Sequence, residues 1–361
     1  MLQRFILIVC LFLASVSVYS YSEELSSNGL TNLRIMTYNV NGLPDIITKI
    51  KKYKSFESKK TRLAKLCAFL KEKNTTPEST IDAVMLQEVW LKKDQKMLAQ
   101  ESGYQYSCYQ DDKSFQSGLM ILSNNPISGC YKKMFQNKVP DSGPGSIIDK
   151  NIKRAYLEAV IVLPNGQDFI LTNTHLISNY KPEIENDSQS KFKFKQDPSE
   201  ETRLKQLNEI LTDLSKLDKP SIVGGDLNTG PEYPLWSKLL EEKGTVLTNG
   251  YSIDTNYEPT FSDTNIYVTN SEGSLDHFLT NQYIEIKNTM VLSRTTITAP
   301  NTEFVEDGDS FDDRELEIIE VANLLDNNSE GTIEIADSSD HYAKIIEISI
   351  CCDPEKSIAA R

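Results

Sequence analysis

Three histidines occur in the chain, His175, His277 and His341, and each lies in a short polar cluster: NTHL at 173–176, SLDHF at 274–278 and SSDHY at 338–342. Imidazole changes charge near neutral pH and is the commonest general acid or base in enzymes. Three further clusters lack histidine but carry amides and carboxylates: TYNVNG at 37–42, LQEVW at 86–90 and GGDLN at 224–228. Groups of these types handle phosphate and metal ions. A chain so sparing with histidine that sets all three beside Asp, Asn or Thr reads as an enzyme.

Glu88 follows the apolar run IDAVMLQ, so its carboxylate stands at the mouth of a core, where an unpaired charge would be very costly. A hard divalent cation would match it, with Asn39 supplying a neutral oxygen; magnesium suits one or two carboxylates, several waters and a substrate phosphate. The competing reading is a Glu that caps the next helix. Asp226 and Asn228 lie two apart, and in a strand such residues share a side, so both would face one pocket and hold an attacking water and a phosphate oxygen. The alternative there is an Asx turn ending a strand. Asp340 and His341 are adjacent and point opposite ways in a strand. His341 therefore needs an orienting carboxylate from elsewhere, for which Asp276 is the candidate; Asp340 could bind metal directly or through water. A carboxylate on one imidazole nitrogen fixes the tautomer and makes the other nitrogen a better base. His175 could donate to a phosphate oxygen or protonate a leaving group, or be a hydrogen-bonded structural residue. His277 points away from Asp276 and reads as structural. Lys153 and Arg154 could meet an anion, with a solvated face as the stronger reading.

Strand ends and the loops after them can present such groups from a rigid scaffold. The sequence predicts strands at 33–38, 81–89, 117–123, 155–163, 168–175, 221–228, 274–280 and 341–350, with PNG at 164–166 as a hairpin turn. It predicts helices at 60–73, where Leu63, Leu66, Cys67 and Leu70 share a face, and at 92–101, 202–214 and 235–243. Two packed sheets with outer helices would gather all six clusters at one edge.

In this order, the six clusters resemble the endonuclease/exonuclease/phosphatase superfamily of metal-dependent phosphoesterases, over roughly residues 33–350. The resemblance implies an α/β fold: a four-layer α/β/β/α sandwich of two mainly antiparallel sheets with outer helices, DNase I-like. It also implies one or two Mg2+ ions and in-line attack of water on phosphorus. Matched by motif, Asn39 and Glu88 are the implied metal ligands, with Asp340 beside them. Asp226 and Asn228 are the implied pair that positions water and phosphate, Asp276 and His341 the dyad, and His175 a second catalytic and substrate-binding position. LRIMTYNVNGLP, KTRLAKLCAFL, IDAVMLQEVW and SGLMILSNNPI, followed by THL, GGDLN and SDH, are similar in order and spacing to neutral sphingomyelinases. Inositol phosphate phosphatases carry Asp-Arg where this chain has Asp276 and His277. The implied activity is hydrolysis of sphingomyelin, or a related choline phospholipid, to ceramide and phosphocholine. An extracellular nuclease, a phosphatase of another phosphorylated lipid, and a binding protein or toxin that has lost the chemistry are the rival readings.

Composition sets the remaining bounds. With 361 residues and 39% hydrophobic content, the chain supports one large catalytic domain at 33–350 and a tail at 351–361. Residues 1–20 combine Arg4, an apolar run from Phe5 to Val18 and small residues near a cut, the architecture of a signal peptide. The mature protein is expected to be exported (to the medium, a periplasm or a lumen) and soluble, with an uncleaved anchor as the alternative. Cys108 and Cys130 are expected to form a disulfide and Cys67 to be a buried thiol; sequons stand at Asn74, Asn186 and Asn327. The net charge of −14 leaves no general basic footprint for nucleic acid. The expected partner is a phospholipid at a membrane surface, and no stable protein partner is implied. The apolar and basic stretch 43–56 is the candidate bilayer contact, or a solvated loop. The acidic run 303–320 reads as a solvated loop, with a second cation site as the alternative.

Overall fold

The computed structural model describes residues 30–42, 59–110, 117–136, 154–178, 199–233, 236, 251–262, 272–292 and 339–350, together with backbone strands at 183–185, 193–196, 296–300 and 330–334 and the strand end at 351. The chain passes through β1 (Leu30–Asn39), α1 (Lys59–Lys73), β2 (Ala83–Gln87), α2 (Lys92–Glu101), β3 (Tyr106–Cys108), β4 (Met120–Ser123), β5 (Ile127–Met134), β6 (Ala155–Val162) and β7 (Asp168–His175). It continues through β8 (Glu183–Glu185), β9 (Lys193–Gln196), α3 (Glu200–Leu214), β10 (Ser221–Asp226), β11 (Ser252–Ile253), β12 (Phe261–Ser262), β13 (Glu272–Gly273) and β14 (Asp276–Thr280). The last described strands are β15 (Ile284–Leu292), β16 (Thr296–Pro300), β17 (Glu330–Glu334) and β18 (Ala343–Cys351).

Two six-stranded sheets dominate, in the orders β15-β18-β1-β2-β4-β3 and β11-β14-β10-β7-β6-β5. Each has one parallel pair at its centre, β1 with β2 and β7 with β10, and is otherwise antiparallel. Parallel neighbours need a crossover, and helices supply it: α1 lies between β1 and β2, and α3 between β7 and β10.

The alternation of side chains along each strand builds the layers. In β2, Ala83 and Met85 face the second sheet, in one core with Ile35, Leu171, Ile222 and Phe278. Val84 and Leu86 face outward and pack with Leu63, Leu66 and Leu70 of α1 and Leu98 of α2. A β2 buried on both faces must therefore read as a continuous apolar run, which it does. Beyond the second sheet, Leu207, Ile210, Leu211 and Leu214 of α3 are fully buried against Ile170, Val223 and Leu279. Their spacing is one helical stripe, and each such side chain contributes roughly 1.5–3 kcal/mol on burial. The four-layer sandwich expected from the sequence is the observed fold.

Two devices lock the sheets face to face. Gln87 Nε2 donates to Asn173 Oδ1 at 2.8 Å across the gap, and Asn173 Nδ2 donates to the carbonyls of Leu86 at 2.8 Å and Met120 at 2.9 Å. At one edge the disulfide Cys108–Cys130 ties β3 to β5, as anticipated, and Cys67 is a buried free thiol.

One expectation changes, and two features go beyond the sequence reading. β10 ends at Asp226, so Asn228 lies beyond the strand with φ 52°, and the same-side argument for it does not apply. The opening of the region after 279 is the edge strand β15, whose mixed polar pattern leaves it half exposed and hid it in the sequence. Asn74 of the first sequon turns inward, its Nδ2 buried. The signal segment 1–20, the stretch 43–56, the acidic run 303–320 and the predicted helix 235–243 (Trp236 apart) lie outside the described residues. Among the described residues no helix is long and apolar enough to cross a membrane.

Candidate active site

The four parallel strands end at one pole of the sandwich, and each delivers one polar group there: Asn39 from β1, Glu88 just past β2, His175 from β7 and Asp226 from β10. The chain turns sharply after three of these ends. Asn41 (φ 44°), Glu88 (φ 63°) and Asn228 (φ 52°) are the non-glycine residues in left-handed backbone among those described. Asn tolerates this region through local hydrogen bonds. Asn41 N donates to Asn39 Oδ1 at 3.0 Å, and Asn228 N to Asp226 Oδ1 at 2.9 Å. Glu88 has no such excuse, and a strained φ of this kind costs on the order of 1–3 kcal/mol. Its neighbours hold it: Val89 N donates to Gly118 O at 2.9 Å and Trp90 N to Glu88 O at 3.0 Å. Gly225 has φ +138°, and a Cβ there would stand 1.9 Å from Thr174 O, so the GG of GGDLN lets β10 press against β7 directly below the site.

Asp226 is the hub. Its Oδ2 accepts from Asn39 Nδ2 at 3.0 Å and lies 3.4 Å from His175 Nε2 and 3.8 Å from His341 Nε2. Asn39 Nδ2 also reaches Glu88 Oε1 at 3.2 Å, and Trp90 Nε1 donates to Glu88 Oε2 at 3.4 Å. The second sheet contributes Asp276, wholly buried at the start of β14, whose Oδ2 is 2.9 Å from His341 Nδ1. With a carboxylate as acceptor, Nδ1 carries the proton and Nε2 faces Asp226. Ser339 Oγ donates to Asn39 O at 2.6 Å and accepts from His341 N at 3.2 Å, tying the histidine to the end of β1. Phe261 packs edge-on against His341, ring centres 5.3 Å apart. Asp340 is half-exposed beside Ser339.

Every described residue singled out from the sequence for catalysis, metal or substrate thus converges on this pole, and His277 does not. His277 faces the opposite side of β14: its Nε2 meets Ser274 O at 2.8 Å and its ring packs on Trp236, centres 4.7 Å apart. Asn228 stands at the site, but its Nδ2 donates to Leu176 O at 3.0 Å and its backbone closes an Asx turn on Asp226. Arg154 is no solvated residue. It is buried, and its Nη1 donates to His175 O at 3.3 Å. Lys153 lies outside the described residues. The sequence reading missed the supporting groups. Arg62 of α1 donates to the carbonyls of Val40 and Asn41 at 2.9 Å each, and Thr260 Oγ1 accepts from Leu275 N at 3.0 Å and Asp276 N at 3.1 Å. An arginine on the apolar face of a helix was the one available signal for Arg62; Thr260 and Ser339 offered none.

The electrostatics follow from burial and neighbours. Burial, reinforced by Asp340, raises the Glu88 carboxyl above its ordinary range, against the Asn39 hydrogen bond. Burial likewise raises Asp226, against the charge of His341. Burial and the nearby Arg154 push His175 well below the usual imidazole value, so it is neutral at pH 7. Burial pulls His341 the same way, but Asp276, Asp226 and Asp340 overcome it and raise it to about 10. Among the described residues no three His, Cys, Asp or Glu side chains are spaced to grip a metal unaided. The donor set here is instead the carboxylate oxygens of Glu88 and Asp340; Asn39 turns Nδ2 to Glu88 and Oδ1 to Asn41 N, so it holds Glu88 in place, and burial with Asp340 nearby raises the Glu88 carboxyl. Two such carboxylates fit a hard cation that keeps several waters.

A family model described as the endonuclease/exonuclease/phosphatase family matches residues 36–341. No curated protein matches the chain by sequence. Among solved structures, SmcL is 17% identical with a TM-score of 0.55, covering 88% of this chain and 98% of that one. A mutant beta toxin from Staphylococcus aureus with bound magnesium ions is 17% identical with a TM-score of 0.54, covering 88% and 99%. Sphingomyelinase C from Streptomyces griseocarneus is 17% identical with a TM-score of 0.52, covering 88% and 99%. At these identities the likeness is one of fold.

Proposed function

The chain belongs to the endonuclease/exonuclease/phosphatase family, and on that premise we propose that it is a divalent-metal-dependent phosphodiesterase, exported, that hydrolyses sphingomyelin or a related choline phospholipid to ceramide and phosphocholine. One observation carries the hydrolytic reading: His341 is clamped by Asp276 at 2.9 Å on Nδ1 while Nε2 faces Asp226. This is the arrangement of a base whose tautomer is fixed and whose second nitrogen is turned toward the chemistry. The lipid reading draws on the order of the sequence motifs, on the net charge of −14, which disfavours nucleic acid, and on the sphingomyelinase C and beta toxin folds. The apolar and basic stretch 43–56 is the proposed bilayer contact.

In this reading Glu88 and Asp340 would hold Mg2+, with Asn39 fixing Glu88 through its Nδ2. When bound, the ion supplies positive charge against the phosphoryl oxygens and offsets the carboxylate field that keeps His341 protonated. Asp226 and Asn228 orient the attacking water and a phosphate oxygen. Nε2 of His341 takes a proton from that water as its oxygen bonds to phosphorus and the bond to the ceramide oxygen breaks. The leaving ceramide oxygen takes up a proton from solvent. His175, neutral through burial, donates a hydrogen bond to a phosphate oxygen more readily than it delivers a proton. The buried, preorganised dipoles around the phosphoryl group lower the barrier.

The test offers sphingomyelin vesicles and plasmid DNA in parallel to the purified mature chain with Mg2+, with chelator controls. Chelator-sensitive release of phosphocholine with intact DNA is expected. Nicked DNA with untouched vesicles would move the chain to the nucleases and leave 43–56 without a role.

A further inference from the structure

We propose that Lys344 and Asp254 are positioning residues: a buried ion pair that replaces a missing strand edge and fixes Asp276 beneath His341. The inference rests on the dyad reading above. β14 has β10 on one side along its whole length, from Asp276 opposite Asp226 to Thr280 opposite Ile222. On the other side β11 pairs only at Ser252–Thr280 and Ile253–Leu279, so among the described residues the end that carries Asp276 has no strand beside it. Side chains fill that edge. Lys344 Nζ donates to Asp276 O at 3.2 Å and to Asn256 O at 2.7 Å, and lies 2.6 Å from Asp254 Oδ1. Asp254 Oδ2 accepts from Phe278 N at 2.8 Å, and Asp254 N donates to Phe278 O at 2.9 Å. The pair therefore grips β14 on both sides of residue 277.

Both side chains are fully buried. An ion pair in such a place adds little stability over apolar residues of similar volume, because desolvation consumes most of the attraction; it is a device for geometry. The geometry in question is specific. Lys344 belongs to β18 in the first sheet, three residues after His341, and reaches across to the strand of the second sheet that carries Asp276. One side chain thus ties together the two segments that meet at the dyad.

The decisive variant is K344M/D254L, which fills the volume without charge but leaves Asp276 O, Asn256 O and Phe278 N without these partners, so its Tm is checked before assay to establish that it folds. It is assayed with Mg2+ on sphingomyelin vesicles and on bis(p-nitrophenyl) phosphate, beside H341A. We expect kcat to fall roughly 10–100-fold, the cost of displacing a catalytic group by about an ångström, with KM unchanged. The low-field imidazole N–H resonance of the His341–Asp276 bond should broaden or move. A kcat within about twofold of the parent, while H341A is inactive, overturns the inference alone. An active H341A overturns the dyad reading beneath it. If the double variant does not fold, the isosteric D254N serves: loss of kcat with a displaced N–H resonance supports the proposal, and unchanged kcat and resonance refute it.

Discussion

On one face of β14, Asp276 holds His341 at the pole of the candidate site; on the other, one residue along, His277 lies against Trp236 with Asp254 3.8 Å away. Both imidazoles are buried and both have an aspartate beside them. Yet His341 is pushed up to about 10 and His277 down to about 4. Burial lowers both, and the difference lies in the surrounding charge. His341 has Asp276, Asp226 and Asp340 around it, and their charge outweighs its burial. At His277 burial is reinforced by Lys344, which also neutralises Asp254. An aspartate near a histidine is therefore not a dyad. The sign of the whole neighbourhood decides which imidazole carries a proton at pH 7.

The largest effect that would break this contrast is on turnover. His341→Ala should lower kcat by about 10³-fold, in the range for a lost general base, in a vesicle assay with Mg2+; retained activity would remove the functional half of the comparison. Next, Asp254→Leu alone should strand Lys344 as an uncompensated buried charge and cost about 3 kcal/mol in urea unfolding, whereas a surface site would lose far less. His277→Ala should then lower stability by about 2 kcal/mol, as expected for a truncated buried ring, while kcat stays within about threefold; a catalytic collapse would make both histidines functional. The subtlest test is a titration. By NMR, His277 should stay neutral until about pH 4. Because its folded value lies below the unfolded value near 6.5, its contribution to stability is present above pH 6.5 and is lost as pH falls through about 4. That part of the acid limb should be missing in His277→Ala.

Much of this was legible in the chain itself. α3 and β7 were visible because hydrophobic period and length agree there, and the six clusters because strands that end at one pole must carry their chemistry at their ends. The pairing of His341 with Asp276 was inferred from the rule that neighbours on a strand face opposite ways, although Asp340 and His341 lie just ahead of β18, which begins at Ala343. The same rule failed for Asn228, since it presumes a strand that stops at Asp226. Thr260, Ser339 and Lys344 were hidden for another reason. Each acts on a backbone group far away in sequence, 300 residues for Ser339 and Asn39, and no local pattern encodes a partner at that distance.

The pairing of β1 has a consequence for biosynthesis. β1 finds its parallel neighbour β2 early, but its other edge is satisfied only by β18, from Leu30 opposite Cys351 to Thr37 opposite Lys344. While the chain emerges from a ribosome, that edge is an open template for foreign strands, and contacts so distant in sequence form slowly. His341 arrives with the same closing segment. A nascent chain therefore holds Asn39 and Glu88 before His341 and β18 are laid down, and on the proposed reading it lacks its base until then.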